Sequence, residues 1–156
     1  MKRLFVCIPV VAILSLVLAV GSLAQVGRDT RQRGREGWGS GDRYGKMYDT
    51  KTVETISGEV VSVTKMTPME GMSSGLHLTL KTGKETVSVH LGPSWYLQKQ
   101  VVKIEPKDTI EVKGSRITFN GKPAIIAAEV KKGAEVLRLR DESGHPVWAR
   151  YKAPWD

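Results

Sequence analysis

The chain has 156 residues, with 24 Lys and Arg against 16 Asp and Glu, a formal net charge of +8 and a single cysteine, Cys7. This length fits one small domain with flanking segments. Because no cysteine follows residue 7, disulfides, thiolate metal sites, covalently attached c-type haem and a cysteine nucleophile are excluded from the rest of the chain.

The first 24 residues have the pattern of a secretory signal peptide. Two basic residues precede an apolar run over residues 4–20, and Ser22-Leu23-Ala24 has the small-x-small form of a cleavage site. An uncleaved anchor is the alternative, because the apolar run is near the shortest length that spans a bilayer. We predict a periplasmic or secreted protein that begins near Gln25, with no membrane span after cleavage and a net charge of about +6.

Residues 25–49 are predicted to form a disordered Arg/Gly-rich tether. The stretch GRDTRQRGREGWGSGDRYGKMYD contains six glycines, five arginines and three aromatic residues, Trp38, Tyr44 and Tyr48, without helical or strand periodicity. Such a composition buries too little apolar surface to offset the entropy lost on ordering. Its interleaved arginines and aromatics are similar to segments that bind single-stranded nucleic acid, although no RGG unit is repeated.

Residues 50–156 are predicted to form an all-β domain, because short alternating runs are separated by turn residues. The first run, TVETISGEVVSVTKM, covers residues 52–66. Its interior Gly58 indicates a β-bulge, which lets a long strand bend around a small barrel.

The second and third strands are predicted to form a hairpin from LHLTLKTGKETVSVHL, residues 76–91, turning at Gly83 and Lys84. The apolar cross-strand pairs would be Leu76–Leu91, Leu78–Val89 and Leu80–Val87. This register places His77 directly opposite His90 on the other face, outside the barrel core, because a slip by one residue would expose a whole apolar set.

Residues 108–119 and 122–130 are predicted as strands 4 and 5, joined by Asn120-Gly121, the strongest two-residue hairpin signal. Residues 92–106 supply a short helix or turn that closes one end of the barrel. Residues 135–151 are predicted to form a hairpin that covers an open edge. The predicted fold is therefore a five-stranded OB-fold-like barrel with a short helix between strands 3 and 4 and an appended C-terminal β-hairpin.

Several of these stretches carry a family resemblance. SGEVVSV, VHLGPSWYL, DTIEVKGSRI, GKPAIIAAEV and LRLRDESGHPVWA resemble the small exported bacterial OB-fold proteins, a group often labelled generically as DNA-binding. The resemblance covers about residues 48–149. It implies the fold and export, and it brings no catalytic motif.

Catalysis is not indicated by the sequence. No GxSxG, HExxH or P-loop motif is present, although Ser, His and acidic residues occur. We therefore predict a non-catalytic binding module without a cofactor.

A copper or other transition-metal site is the sharpest alternative. Opposed residues on adjacent strands have Cβ atoms about 4.5–5.5 Å apart, close enough for His77 and His90 to share one ion. Met66, Met69 and Met72 lie in the loop just before them, and thioethers with imidazole suit monovalent copper. In its ingredients, but not in its spacing, this set resembles the periplasmic copper chaperones with an OB fold.

The predicted ligand face is the outer surface of strands 2 and 3. Its candidate residues are His77, Thr79, Lys81, Thr86, Ser88 and His90, with Lys65, Lys113, Arg116 and Lys122 around them. A protein, a glycan or an anionic polymer of the cell envelope is the predicted partner. Single-stranded nucleic acid is a further alternative, although the face lacks the aromatic side chains on which bases would stack. A merely solvated polar face is the simplest reading.

Overall fold

The computed structural model describes residues 37–150. The predicted signal peptide (1–24), the first part of the predicted tether (25–36) and residues 151–156, with Trp155, lie outside this part. The elements are β1 (Val53–Met66), β2 (Gly75–Lys81), β3 (Thr86–Pro93), α1 (Ser94–Leu97), β4 (Thr109–Phe119), β5 (Lys122–Lys132) and β6 (Glu135–Arg138). Short 3-10 helices cover Gly45–Met47, Thr50–Thr52 and Val147–Arg150. None of the helices in residues 37–150 is long and apolar enough to cross a bilayer.

Five strands close into a ring. The hydrogen-bonded order is β3-β2-β1-β4-β5, and β3 pairs with β5 in parallel to complete it. The single turn of α1 follows β3 directly. The predicted five-stranded OB-fold-like barrel, with a short helix between strands 3 and 4, is confirmed.

The core follows from the period-two alternation of the strands. Leu78 and Leu80 of β2 and Val87 and Val89 of β3 are buried, and they meet Ile125 of β5 in the same core. Burying one such side chain contributes roughly 1.5–3 kcal/mol relative to exposure. The alternation seen in the sequence therefore defines the interior of the barrel.

The β2–β3 hairpin has nearly the predicted register. Leu78 pairs with Val89, Leu80 with Val87 and His77 with His90, as predicted. Leu76 instead pairs with Gly92, because the register shifts between Leu76 and His77. The predicted Leu76–Leu91 pair is therefore wrong by one residue.

The β4–β5 hairpin turns where the sequence predicted. Asn120 and Gly121 have φ angles of 51° and 76°, both positive, as a type I′ turn requires. Phe119 and Lys122 form the closing pair.

β1 serves two neighbours in turn. Its first half pairs with β4 and its second half with β2, and the two pairings meet at Glu59. At Gly58 an added Cβ would collide with the carbonyl group of Lys81. The register irregularity lies between Val60 and Ser62, so the bulge predicted at Gly58 is displaced, and Gly58 instead permits a close approach of backbones.

The C-terminal part adds one strand outside the ring. β6 pairs with β5 through Val130 and Leu137, which confirms an appended strand. The return arm of the predicted hairpin is reduced to one bridge between Arg140 and Pro146, followed by a 3-10 helix. Proline has no N–H to donate, so a longer ladder is not favoured there.

The N-terminal segment, residues 37–49, packs on the barrel, so the prediction of a disordered tether is wrong for these residues. Trp38 and Tyr44 are 2% and 1% exposed. The Trp38 indole N–H donates to the Ser73 carbonyl oxygen at 3.0 Å. The Asp42 carboxylate accepts from the backbone N–H of Gly39 at 2.8 Å and thereby orders the turn. The burial of these two large aromatic side chains offsets the entropy that the segment loses on ordering. From composition alone, that entropy loss was expected to keep the segment disordered.

Replacing Trp38 by alanine tests whether the N-terminal segment is part of the folded domain. We expect Trp38→Ala to lower the free energy of unfolding by about 3–5 kcal/mol, because a buried indole is lost. Lys46→Ala, at an exposed position of the same segment, should change it by less than about 0.5 kcal/mol. Urea denaturation of both variants is the measurement, and equal small effects would contradict the packing.

Gly58→Ala tests the close approach of β1 and β2. We expect the free energy of unfolding to fall by about 1–3 kcal/mol or more, because the added methyl group collides with backbone atoms. Gly83→Ala is the matched control, since nothing lies within 4 Å of a Cβ added there. A thermal midpoint that falls equally in both variants would show that Gly58 is not a site of close packing.

Candidate binding site

The predicted ligand face is only partly open. Thr79 lies opposite Ser88 and both are half-buried, while Lys81, opposite Thr86, is exposed. His77 is half-buried and His90 is 2% exposed. The open part of the face is therefore smaller than the sequence predicted.

The two histidines are neighbours, as predicted from the hairpin register. Their ring centroids are 6.2 Å apart in an edge-to-face arrangement. The His77 ring nitrogens both lie 3.3 Å from the Thr64 hydroxyl, and burial lowers the pKa of this histidine.

His90 is covered rather than solvated, which corrects the prediction of a wet polar face. Its Nδ1 shares a 2.8 Å hydrogen bond with the Tyr44 hydroxyl, and the two rings stack with centroids 5.9 Å apart. The Phe119 ring meets His90 edge-on at 4.9 Å. Burial, and then the nearby His77, lower the pKa of His90 to about 4, so the imidazole is neutral at pH 7.

The methionines of the proposed metal set lie beside the N-terminal segment. Met69 and Met72 line a shallow cavity of about 250 Å³ together with Tyr44, and neither histidine lines it. Met66 ends β1 and is half-buried. In residues 37–150 no three His, Cys, Asp or Glu side chains are grouped to hold a metal ion. The copper site therefore stays a prediction carried by the histidine pair alone.

Two further residues of the predicted face have other surroundings. Arg116 pairs with Glu54, its Nε donating at 2.7 Å, and with Glu85, and these bonds raise the pKa of its guanidinium. Arg116 is therefore already neutralised. Lys113 lines a different surface, the groove described next.

A groove of about 650 Å³, here called the Arg140 groove, lies on another side of the molecule. The lining residues are Tyr48, Thr50, Val53, Lys113, Ala128, Glu129, Arg138, Arg140, Asp141, Glu142 and Val147. It lies where the N-terminal segment, β4, β5 and the chain after β6 meet. Its wall combines apolar and charged side chains, as a binding surface requires.

Arg140 is the unusual member of this groove, because its guanidinium is buried without a carboxylate partner in residues 37–150. The side chain is 5% exposed, and its Nη1 donates to the Gly144 carbonyl oxygen at 3.0 Å. Its Nε is buried and has no hydrogen-bond partner in the described part of the chain. The guanidinium carbon lies 5.3 Å from the ring centroids of both Tyr48 and Trp148. Burial lowers the pKa of this group, although an arginine remains charged at pH 7.

Arg140 is not among the site residues predicted from the sequence. Arg138 and Arg140 alternate there with Leu137 and Leu139, and Arg138 is exposed. β6 ends at Arg138, so the alternation no longer determines where Arg140 points. Its ring partners are distant in sequence, and no local signal indicated them.

The buried His90 predicts a loss of stability in acid. The folded-state pKa of about 4 lies below the ordinary 6.5, so the unfolded state binds the proton more readily. Neutral His90 therefore contributes fully to the free energy of unfolding above pH 6.5. This free energy declines by about 3 kcal/mol as the pH falls towards 4. Denaturation at several pH values should show a shallower decline for His90→Gln. His145→Gln, at an exposed histidine, should retain the decline of the unaltered protein, and equal curves for all three proteins would contradict the assignment.

Comparison with protein families gives a match. The model of the MamS/MamX magnetosome protein family matches residues 52–137, which is more than half of the chain and spans β1 to the third residue of β6. A search of curated proteins finds no match. The resemblance to exported barrel proteins thus holds for the fold, whereas the matching description names neither an OB-fold family nor DNA binding. The chain belongs to the MamS/MamX magnetosome protein family.

Proposed function

We propose that this protein is a non-catalytic, exported binding module that holds a partner protein of the cell envelope in the Arg140 groove. The observation that carries the proposal is the groove itself, about 650 Å³ in volume, with a buried cation that has no anionic partner in residues 37–150. Burying an unpaired charge destabilises a fold, so its presence favours a role in binding.

The family supports a place at the magnetosome. Its description names that structure, and the predicted signal peptide would deliver the chain to the periplasm or beyond. The net positive charge favours an anionic partner or an anionic surface patch on a partner. The absence of familiar catalytic motifs from the sequence supports a binding role over an enzymatic one.

The metal-binding alternative rests on the neighbouring His77 and His90. One nitrogen of His90 is engaged by Tyr44, and burial disfavours any added charge there. The nucleic-acid alternative needs aromatic side chains on which bases can stack. The rings of Tyr48 and Trp148 already contact Arg140. Both alternatives are therefore weaker than a partner protein.

Site-specific photo-crosslinking in the native cells tests the groove as a partner surface. A photoreactive residue at Arg138, exposed at the groove, should yield a discrete protein adduct. The same residue at Val101, which is 90% exposed and does not line the groove, should not yield it. Lys113→Glu should lower the adduct yield several-fold, because it reverses one charge of the groove.

Adduct composition decides between the alternatives. Equal adducts from positions 138 and 101, or no adduct at either, would contradict a partner surface at the groove. An adduct removed by nuclease would assign the groove to nucleic acid instead of protein.

A further inference from the structure

We propose that Arg140 is the binding site for a single carboxylate group of a partner polypeptide. Its Nε and Nη2 atoms would donate hydrogen bonds to that carboxylate. This inference rests on the proposed function, since it names the chemical group that the Arg140 groove recognises. The partner segment would place that carboxylate on the buried guanidinium and its apolar part along the groove wall.

The hydrogen bonds of Arg140 leave one edge of its buried guanidinium without an acceptor in residues 37–150, and a ligand reaches this edge when the groove wall shifts. Nη1 donates to the Gly144 carbonyl oxygen at 3.0 Å, whereas Nε has no partner and Nη2 makes no hydrogen bond to residues 37–150. The guanidinium is planar, and the N–H groups of Nε and Nη2 point in the same direction from one of its edges. Two parallel N–H groups match the two oxygens of a carboxylate.

The surrounding rings hold this edge in a defined orientation. Tyr48 and Trp148 each lie 5.3 Å from the guanidinium carbon, and the Trp148 indole N–H donates to the Trp38 carbonyl oxygen at 2.9 Å. Aromatic faces stabilise a guanidinium but offer no hydrogen-bond acceptor to Nε. The rings therefore fix the orientation of the guanidinium, and a ligand can supply the acceptor that they lack.

Neighbouring acidic residues already have other partners. The Asp141 carboxylate accepts from the backbone N–H groups of Ser143 at 3.0 Å and His145 at 2.9 Å. Glu129 pairs with Arg138 at 3.6 Å and with Lys131 at 3.8 Å. In residues 37–150, no carboxylate forms an ion pair with Arg140.

The charge of the groove favours one monoanionic group over a polyanion. Its basic residues are Lys113, Arg138 and Arg140, and its acidic residues are Glu129, Asp141 and Glu142. These formal charges balance, so a phosphate dianion or a nucleic-acid backbone would meet repulsion without excess positive charge. Val53, Ala128 and Val147 add an apolar wall that suits the hydrocarbon part of an amino-acid residue. A carboxylate of a polypeptide has both properties.

Side-chain NMR on the full-length protein tests the inference directly. The Nε–H resonance of Arg140 is identified as the signal missing from the Arg140→Lys spectrum. The probes are three tripeptides with blocked N-termini, and inorganic phosphate. The peptides are Ala-Gln-Leu with a free C-terminus, Ala-Glu-Leu with an amidated C-terminus, and Ala-Gln-Leu with an amidated C-terminus. The first two carry a terminal and a side-chain carboxylate, and the third is their uncharged match.

We expect at least one of the two carboxylate peptides to shift the Nε–H resonance saturably, and the uncharged peptide and phosphate to leave it unchanged. Whichever carboxylate peptide binds identifies the source of the group. No shift with either acid, or an equal shift with the uncharged peptide or with phosphate, would overturn the assignment.

Two variants separate binding from folding. Calorimetric titration should give at least a tenfold weaker affinity for Arg140→Lys, which keeps the charge but lacks the fork. Arg140→Met should abolish binding and unfold at the same temperature as the unaltered protein or higher, because it removes an unpaired buried charge. Arg43→Lys, at an exposed arginine that does not line the groove, should bind normally. Full affinity in a folded Arg140→Met variant would overturn the inference.

The crosslinking experiment distinguishes this inference from the proposed function. If the adduct at position 138 persists undiminished in Arg140→Met, the groove remains a partner surface and only the role of Arg140 is wrong. If no adduct forms but the peptides bind, Arg140 is a carboxylate-binding site and the partner surface lies elsewhere.

Discussion

The parallel pairing of β3 with β5 is the contact on which the rest of the structure depends. It joins Ser88, Val89 and His90 to Ala124, Ile125 and Ile126, and it turns an open sheet into a ring. Parallel neighbours need a crossover connection, which here includes α1 and β4. Closure gives the alternating apolar side chains one shared interior and leaves the later part of β5 free to pair with β6.

A second layer of packing lies outside the ring, where both ends of the described chain meet. The rings of Trp38 and Trp148 are 6.4 Å apart, and Tyr96 packs against Trp148 at 5.5 Å. This layer buries two ionisable side chains with different consequences. His90 loses its charge when buried, because an imidazole can release its proton near neutral pH. Arg140 cannot do so, and the fold therefore keeps a buried cation that has no carboxylate partner among residues 37–150.

That difference connects the architecture with binding. His90 contributes to stability as a neutral, hydrogen-bonded group, so its neighbourhood is better suited to packing than to holding ions. Arg140 lies at the wall of a groove, and its Nε and Nη2 donors have no acceptor in residues 37–150. For a member of the MamS/MamX magnetosome protein family, the groove outside the barrel is thus a stronger candidate site than the outer face of β2 and β3. The barrel core stabilises the fold, and the packing outside the ring contains the candidate binding residue, Arg140.

The sequence by itself determined the barrel, because strand alternation and turn chemistry are local. The Asn120-Gly121 turn and the pairing of His77 with His90 could be predicted from neighbouring residues alone. The packing of Trp38 and Tyr44 could not, because a Gly/Arg-rich segment carries no period and its burial depends on partners far along the chain. Only the tertiary structure decided the candidate site. Arg140 follows the end of β6, and its surroundings come from Tyr48 and Trp148, which the closed barrel brings to the same place.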